Sequence, residues 1–573
     1  MRNIKRIRLI FFVLLLLSSL SVRELFSPGF FPMHDDTQPA RIYEMAKSLS
    51  FGQFPVRWVA DLGYGMGYPL FNFYAPLPYY IGAAFTFLGI DLLVATKLMI
   101  AIGVVLAAVF MYLLAREISG SELGGFLSSM LYLYGPYHAV QVYVRGAIGE
   151  LYAYAFLPLF VWGVVLSYRQ LFREDEGGQR LQQGVLIGSL GLSAVLLSHN
   201  VIGFITLLFT SIFILAVLLY GIFRRKLFYC IPIFTIVLLA FGLSAFFVLP
   251  AFAEKHLTKV EELIQGGSNF RQHFVFLSQL WDSPWGYGGS AMGYSDGMSF
   301  KIGKVHLFFG LLSFTLFLVN KRRIQLSIRQ TIFYIIMCGL FLASIYSMLD
   351  ISLPMYETVP FFPFIQYPWR FLVFTLFALS VFSSLIFLSR KTRVDYVFLI
   401  LACSLIIGVN GKYFRPKTIV TVTSNQYKDP FMLRNTYSKI SDEYMPKEFI
   451  RPDGFISESF NLISSPKGVG TIMMNTPTEK TFQMDTLTPQ KIVTNIAYFP
   501  GWMVYVGEEI VRTQNSSGRV AFDISRGQTV VKVKLVSTPI QTVGNAISIF
   551  TVFLLLYVTL FWKRVWVWLQ RHL

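Results

Sequence analysis

Two adjacent acids, Asp35 and Asp36, follow the first hydrophobic segment of the chain in the run Met33-His34-Asp35-Asp36. A carboxylate can act as a general base toward a hydroxyl group, or it can bind a divalent cation such as Mg²⁺ or Mn²⁺. Either acid could instead cap the helix that is predicted to begin near Thr37. The pair is the first candidate for chemistry, with His34 as a supporting neighbour, and the sequence leaves open which acid acts.

Further polar residues stand at the ends of apolar segments, namely Arg145 and Glu150, the pair His199-Asn200, and Arg370. Ionisable groups at membrane depth are costly and are functional candidates by default. Arginines can hold a phosphate through paired hydrogen bonds, so Arg145 and Arg370 are predicted to bind a phosphate that His199 orients, with Glu150 and Asn200 in support.

Each of these residues also has a structural interpretation. Arg145 and Glu150 could form an ion pair that only stabilises the fold. His199-Asn200 could be a tight turn, and Arg370, which follows Trp369, could anchor its helix at the membrane interface. The functional interpretation is favoured because all of these residues are predicted to lie on one side of the membrane. There they would surround one cavity together with the two acids.

The composition is that of a membrane protein. The chain has 573 residues, of which 54% are hydrophobic and 14% are charged, whereas soluble domains carry about 25% charged residues. A soluble multidomain enzyme is excluded. The net charge of +18 lies largely in short loops, where it sets membrane orientation, so no nucleic acid partner is predicted. The three cysteines, Cys230, Cys338 and Cys403, form no metal-binding or disulfide pattern.

Long apolar runs predict about twelve transmembrane helices. The spans are 9–25, 92–115, 123–138, 150–168, 184–198, 201–222, 228–251, 305–319, 331–349, 371–388, 394–409 and 542–561. Basic clusters between them place both termini in the cytoplasm of an inner (plasma) membrane protein, with 9–25 retained as the first helix. The short apolar stretch Pro78–Leu88 is predicted to be an outer-surface helix within a long first outer loop, 24–91.

The domain organisation follows from a change in composition. Residues 1–411 form the transmembrane domain, which includes an outer glycine-aromatic loop at Trp285–Gly289. Residues 412–540 are predicted to form an extracytoplasmic β-rich domain, because period-two alternation appears there. The alternation is clearest in Thr529–Ser537, and Gly518–Ile524 and Lys491–Tyr498 are further predicted strands. Residues 541–573 are predicted to be a final helix and a short basic cytoplasmic tail.

Several motifs in order along the chain resemble those of a known group. They are His34-Asp35-Asp36, Gly63-Tyr-Gly-Met-Gly-Tyr-Pro-Leu-Phe-Asn-Phe-Tyr74, Arg145–Glu150, Ser198-His199-Asn200, Gln366-Tyr-Pro-Trp-Arg370, Tyr498-Phe-Pro-Gly-Trp502 and Val536-Ser-Thr-Pro539. The chain resembles the GT-C superfamily of membrane glycosyltransferases, and more narrowly the bacterial "6-pyruvoyl-tetrahydropterin synthase-related" and YfhO-like membrane proteins. The resemblance implies a GT-C-like fold and an acid of the first outer loop, Asp35 or Asp36, in catalysis.

The predicted function is transfer of a hexosyl or pentosyl group from a polyprenyl-phosphate-linked donor at the outer membrane face. The acceptor would be an envelope glycan, a lipid or a protein. A Walker loop is absent from the sequence, which does not favour nucleotide chemistry. The pterin name is not expected to describe the activity, because the sequence has no histidine cluster for zinc. The alternatives are a transporter or flippase of a lipid-linked envelope precursor, and a non-catalytic scaffold for envelope assembly.

Overall fold

The computed structural model describes residues 2–171, 179–262, 266–319, 326–388, 392–456, 463–464 and 468–561. Long helices dominate the described residues. They are α1 (Arg2–Val22), α2 (Gln38–Ser50), α3 (Leu77–Phe87), α4 (Leu92–Ser119), α5 (Glu122–Leu133), α6 (Ile148–Leu171), α7 (Gln179–Leu196), α8 (Asn200–Phe223), α9 (Ile231–Ala253), α10 (Lys304–Val319), α11 (Ile328–Met348), α12 (Leu372–Phe382), α13 (Arg393–Asn410) and α14 (Pro539–Leu560).

Nine helical segments within these ranges are long and apolar enough to cross a membrane. They are Leu9–Phe26, Leu92–Ser119, Ile148–Tyr168, Asn200–Phe223, Leu227–Ala253, Ile328–Met348, Pro368–Phe387, Arg393–Tyr413 and Pro539–Leu560. The other three predicted spans coincide with α5, α7 and α10. Helix α5 has 12 residues and is about 18 Å long at ~1.5 Å per residue, so it does not cross ~30 Å of hydrocarbon by itself. The predicted polytopic helical fold is confirmed.

The first outer loop is a folded layer. Helix α2 packs on both α3 and α4, and α3 has 11 residues, as the short apolar stretch predicts. The bulky side chains of Trp58, Tyr68 and Tyr79 are completely buried here. Burial of large aromatic groups is a main source of stability in such a layer, so the loop holds its residues in fixed positions above the helices.

Within its described residues, the C-terminal region contains nine strands in two antiparallel sheets. They are β1 (Ile463–Ser464), β2 (Gly468–Asn475), β3 (Glu479–Thr486), β4 (Gln490–Ala497), β5 (Trp502–Val506), β6 (Glu509–Val511), β7 (Gln514–Ser516), β8 (Arg519–Ile524) and β9 (Gly527–Leu535). One sheet has the order β1-β4-β8-β7 and the other β2-β3-β9-β5-β6. In β9, Val531 and Val533 are buried, and the alternating residues Lys532 and Lys534 are exposed. The three predicted strands and the β-rich region are confirmed.

The strands occupy the later part of the predicted 412–540 segment. Residues 412–456 form short helical turns that pack against the first outer loop. Tyr64 Oη donates to Asp442 Oδ2 (2.7 Å) and Tyr68 Oη donates to the Ser441 carbonyl (2.9 Å). The Trp58 and Trp502 rings meet edge to face with centroids 5.2 Å apart. These contacts attach the sheets to the helical part through the first outer loop.

A buried carboxylate joins α9, the outer loop and the final helix α14. Glu254, which follows α9, accepts hydrogen bonds from Asn72 Nδ2 (2.8 Å), Thr538 Oγ1 (2.5 Å) and Gln541 Nε2 (3.1 Å). Buried polar groups are stabilising when their hydrogen bonds are made. The cluster therefore fixes the chain where it leaves the sheets and enters the last span.

Candidate functional site

The two acids lie beside the turn that follows α5. His34 N–H donates to the Val144 carbonyl (3.1 Å), and Asp35 N–H donates to the Arg145 carbonyl (3.0 Å). Gly146 reverses the chain at φ +62°, and a Cβ atom there would lie 2.2 Å from Met33 Sδ. Glycine is required at this position, and this explains the first glycine of Arg145-Gly-Ala-Ile-Gly-Glu150.

The Asp35 side chain faces this turn and remains accessible. His34 Nδ1 and Asp35 Oδ1 are hydrogen bonded at 3.1 Å, and 38% of the Asp35 side chain is exposed. Burial would raise the pKa of Asp35, but the hydrogen bond from His34 and the charge of Arg145 outweigh it and hold that pKa below its usual value. The hydrogen bond to Asp35 raises the pKa of His34. Asp35 is therefore an ionised, reachable carboxylate at neutral pH.

The Asp36 side chain turns away from its neighbour. Its Oδ1 accepts a hydrogen bond from Tyr427 Oη (3.2 Å), and the Tyr427 ring stacks on Tyr437 with centroids 5.2 Å apart. Burial raises the pKa of Asp36 to about 6. The structure thus gives the two adjacent acids different partners and shifts their pKa values in opposite directions.

Arg145 and Glu150 form a buried ion pair. Arg145 Nη1 lies 2.8 Å from Glu150 Oε2, and the Glu150 side chain has no exposed surface. Glu150 Oε1 also accepts hydrogen bonds from Tyr137 Oη and from Gln141 Nε2 (3.1 Å). Unpaired charge is very costly at such a site, so Glu150 fixes the position of the Arg145 guanidinium. The ion pair between Arg145 and Glu150, which the sequence offered as a structural interpretation, is present.

Arg370 joins the same network from a distant part of the chain. Its Nε lies 3.9 Å from Glu150 Oε2, and its Nη1 donates to the Ile365 carbonyl at 2.7 Å. The neighbouring Trp369 ring lies 4.5 Å from the Arg145 guanidinium carbon, in cation-π geometry. One buried carboxylate therefore faces two arginines, and these three groups together carry a net charge of about +1.

His199 lies where α6 and α8 approach each other. Its Nδ1 accepts the Ile202 N–H at 3.1 Å and caps α8. A Cβ at Gly149 would lie 2.5 Å from the Ser198 carbonyl oxygen, so the second glycine of the motif permits this close approach. Burial and the charge of Arg370 lower the pKa of His199 to about 3. The ring is neutral with Nδ1 as acceptor, which places its proton on Nε2.

Asn200 has a structural contact. Its Nδ2 donates to the Phe73 carbonyl of the first outer loop at 2.8 Å, and the residue is exposed. The structure therefore brings Asp35, His34, Arg145, Glu150, His199 and Arg370 together by direct contacts or by electrostatic interaction. Asp36 faces Tyr427, and Asn200 faces the loop backbone.

The glycine-aromatic loop lies beside His34. A Cβ on Gly289 would be 3.5 Å from His34 Nε2. At its other end, Trp285 stacks on Tyr413 with centroids 4.5 Å apart, and Tyr287 Oη donates to the Arg415 carbonyl at 3.0 Å. The loop therefore connects the start of the C-terminal region with the candidate site.

Arg41 is a nearby cation that was not predicted. It is 4% exposed, its Nη2 donates to Ser441 Oγ (2.8 Å), and its Nη1 donates to Tyr79 Oη (3.4 Å). Tyr79 Oη in turn donates to Gln38 Oε1 (2.6 Å), and Gln38 Nε2 donates to the Gly146 carbonyl (2.8 Å). A single buried arginine in a long loop gives no sequence signal, because its partner lies 400 residues away.

The two acids do not form a ready cation site. Asp35 faces His34 and Asp36 faces Tyr427. Over the described ranges, no three His, Cys, Asp or Glu side chains are placed to hold a metal ion. The two carboxylates therefore do not converge on one point in the structure, and the Mg²⁺ or Mn²⁺ site stays a prediction.

Sequence and structure comparisons show which known proteins this chain is similar to. The chain is 23% identical over 257 residues to an uncharacterized protein of Lactococcus lactis subsp. cremoris, covering 44% of this chain and 40% of that protein. Similar solved structures include the Archaeoglobus fulgidus oligosaccharyltransferase AglB in complex with an inhibitory peptide and a dolichol-phosphate. That structure is 14% identical, with a TM-score of 0.48, over 79% of this chain and 62% of its own.

A second similar structure is ArnT from Cupriavidus metallidurans bound to undecaprenyl phosphate. It is 11% identical, with a TM-score of 0.40, over 70% of this chain and 63% of its own. A family model described as a 6-pyruvoyl-tetrahydropterin synthase related domain, membrane protein, matches residues 71–415, more than half of the sequence. The chain belongs to this 6-pyruvoyl-tetrahydropterin synthase-related family of membrane proteins.

Proposed function

We propose that the protein transfers a sugar from a polyprenyl-phosphate donor to a hydroxyl group at the outer membrane face. The observation that carries this proposal is the position of Asp35. Its backbone N–H donates to the Arg145 carbonyl, which places its ionised, partly exposed carboxylate next to a buried network with two arginines and one glutamate. A base and a phosphate-binding cation are therefore adjacent, as this transfer requires.

In the proposed step, the acceptor hydroxyl oxygen forms a bond to the anomeric carbon of the donor sugar. The bond from that carbon to the phosphate oxygen breaks, and the electron pair leaves with the polyprenyl phosphate. Asp35 takes the hydroxyl proton. Because attack and departure occur on opposite faces, the product has the inverted configuration.

Arg145 binds the departing phosphate in this mechanism. Among the described residues, Glu150 and Tyr137 contact its Nη1 atom, which leaves its Nε and Nη2 donors to contact an anion. Arg370, whose Nε lies 3.9 Å from Glu150 Oε2, adds positive charge near the phosphate. The Nε2–H of His199 is a further hydrogen-bond donor. Fixed donors of this kind stabilise charge that develops in the transition state.

Asp35 is the proposed base and Asp36 is not. Asp35 faces the Arg145 turn, whereas the Asp36 side chain turns away and accepts a hydrogen bond from Tyr427. No step is assigned to a divalent cation, because the two carboxylates have separate partners. Transfer activity that survives EDTA would support this assignment, and activity that returns only with added Mg²⁺ or Mn²⁺ would contradict it.

The experiment that tests the class of function compares envelopes of cells with and without the protein. Mass spectrometry of envelope glycans, lipids and proteins should reveal one sugar that is missing without the protein and returns with the wild-type gene. If every sugar is present but a lipid-linked precursor accumulates on the inner leaflet, the protein is a transporter. Unchanged glycans and unchanged lipids would contradict the proposal.

A further inference from the structure

A second basic region lies apart from the Arg145 network. A pocket of about 600 Å³ opens between the end of α1, the end of α13 and the turn after α5. Its walls carry the cations Arg23, Lys412, Arg415 and Lys417. Pockets of this size are large enough for a ligand headgroup.

The charges of this pocket are largely unmatched. Arg23 pairs with Glu24 through Nε and Oε1 at 3.1 Å, in a mostly exposed arrangement. Among the described residues, no carboxylate pairs with Lys412, Arg415 or Lys417, and all three are exposed. One carboxylate therefore faces four cations, and the pocket is suited to an anion.

The pocket lies at the ends of membrane spans. Leu20 and Ile407 line it from Leu9–Phe26 and Arg393–Tyr413, which are both candidate spans. Along α1, the exposed apolar side chains Phe12, Leu16 and Leu20 follow at four-residue intervals and therefore form one stripe on the helix. The stripe ends at Leu20, which lines the basic pocket.

We propose that this pocket binds the phosphate group of a membrane lipid, with the hydrocarbon chain lying along the apolar stripe of α1. The arginine and lysine side chains contact the phosphate oxygens, and Lys412 and Lys417 add charge at the rim. Basic pockets at the ends of membrane helices recognise lipid headgroups by this combination. The site is separate from the phosphate position proposed beside Arg145, and it does not depend on glycosyl transfer.

The test uses full-length protein in neutral phosphatidylcholine nanodiscs. The variant Lys412→Gln/Arg415→Gln/Lys417→Gln removes three exposed cations of the pocket. The matched control, Arg224→Gln/Arg225→Gln/Lys226→Gln, removes three exposed cations at the end of α8. Native mass spectrometry then measures retention of undecaprenyl phosphate, phosphatidylglycerol and phosphatidylcholine, and competition by inorganic phosphate.

The anionic lipids undecaprenyl phosphate and phosphatidylglycerol should be retained in preference to zwitterionic phosphatidylcholine by the wild-type protein and by the control. The pocket variant should lose on the order of a hundredfold in affinity, because each cation near an anionic surface contributes about fivefold. A preference for undecaprenyl phosphate would identify the carrier lipid, and equal binding of phosphatidylglycerol would identify bulk anionic lipid. Equal lipid binding by the pocket variant and the control would overturn the proposal, as would displacement by inorganic phosphate at the lipid's own concentration. Asp35→Asn should bind lipid normally, so a loss of the transfer reaction can be distinguished from a loss of lipid binding.

Discussion

Two arginine–glutamate pairs lie in different environments of this molecule. Arg145–Glu150 is buried, with 11% and 0% of the side chains exposed, whereas Arg23–Glu24 is open, with 70% and 31% exposed. The buried carboxylate holds two guanidiniums in fixed positions and has no accessible surface. The open pair leaves most of its pocket's positive charge unmatched. Similar residues therefore serve to fix geometry in one region and to attract an anion in the other.

The comparison assumes that both regions face the same side of the membrane. In a variant without the native cysteines, a cysteine at Gly454 or Lys412 should react with a membrane-impermeant reagent added outside. A cysteine at Arg225 should react only after the membrane is permeabilised. The alternation of basic clusters motivates this all-or-none expectation. A cysteine at Asp35 marks the region of the buried pair, and labelling of Asp35 and Lys412 from opposite sides would separate the two regions.

Removing charge from the two carboxylates should affect stability very differently. Glu150→Gln leaves two buried guanidiniums without a counter-ion and should cost about 3–5 kcal/mol. Glu24→Gln breaks an exposed pair and should cost at most about 1 kcal/mol. Thermal unfolding of both variants in the same detergent measures the contrast. Equal losses would show that burial does not distinguish the pairs.

The pH dependence of transfer should identify the acid. Asp35 has a lowered pKa and Asp36 a pKa of about 6. An ionised base is lost only as pH falls through its own pKa, so a reaction that uses Asp35 should keep a constant rate between pH 8 and pH 5. A reaction that uses Asp36 should slow about tenfold per pH unit below about pH 6. A pH–rate profile under saturating substrates decides between them.

Asp36→Asn should have the smallest effect, and a favourable one. The raised pKa of Asp36 means that its ionised form is disfavoured in the folded protein. Stability from this group is fully present below the unfolded pKa of about 3.9 and is lost as pH rises through about 6. The side-chain amide oxygen of the variant can still accept the hydrogen bond from Tyr427 Oη. The variant should therefore unfold at a slightly higher temperature than the wild type at pH 8, and at the same temperature as the wild type at pH 4. A decrease at pH 8 would contradict the unfavourable burial of this carboxylate.

Much of the fold was predictable because hydropathy and alternation are local signals. The long apolar runs became helices, and Val531 and Val533 are buried in β9 as their spacing predicted. Helix α5 is shorter than its predicted span because the chain turns at Gly135-Pro136, where proline restricts the residue before it.

Contacts within the candidate site could be predicted from the sequence only where the two residues are close along the chain. Arg145 and Glu150 are five residues apart, so their contact could be considered from the sequence. Arg370 reaches the same carboxylate from a distant helix, and Arg41 meets Ser441 across 400 residues. The division between Asp35 and Asp36 depends on backbone pairing with Val144 and Arg145 and on Tyr427. Such tertiary contacts leave no periodic pattern in the chain.

The most direct test of the central claim replaces each acid separately in cells that lack the native gene. Asp35→Asn keeps the size of the side chain and removes the base, so formation of the envelope sugar should fall ~10²–10⁴-fold, while Asp36→Asn should restore it to near the wild-type level. Protein abundance and thermal stability, measured for both variants, control for folding. Full restoration by Asp35→Asn, or a loss confined to Asp36→Asn, would contradict the assignment of Asp35 as the base.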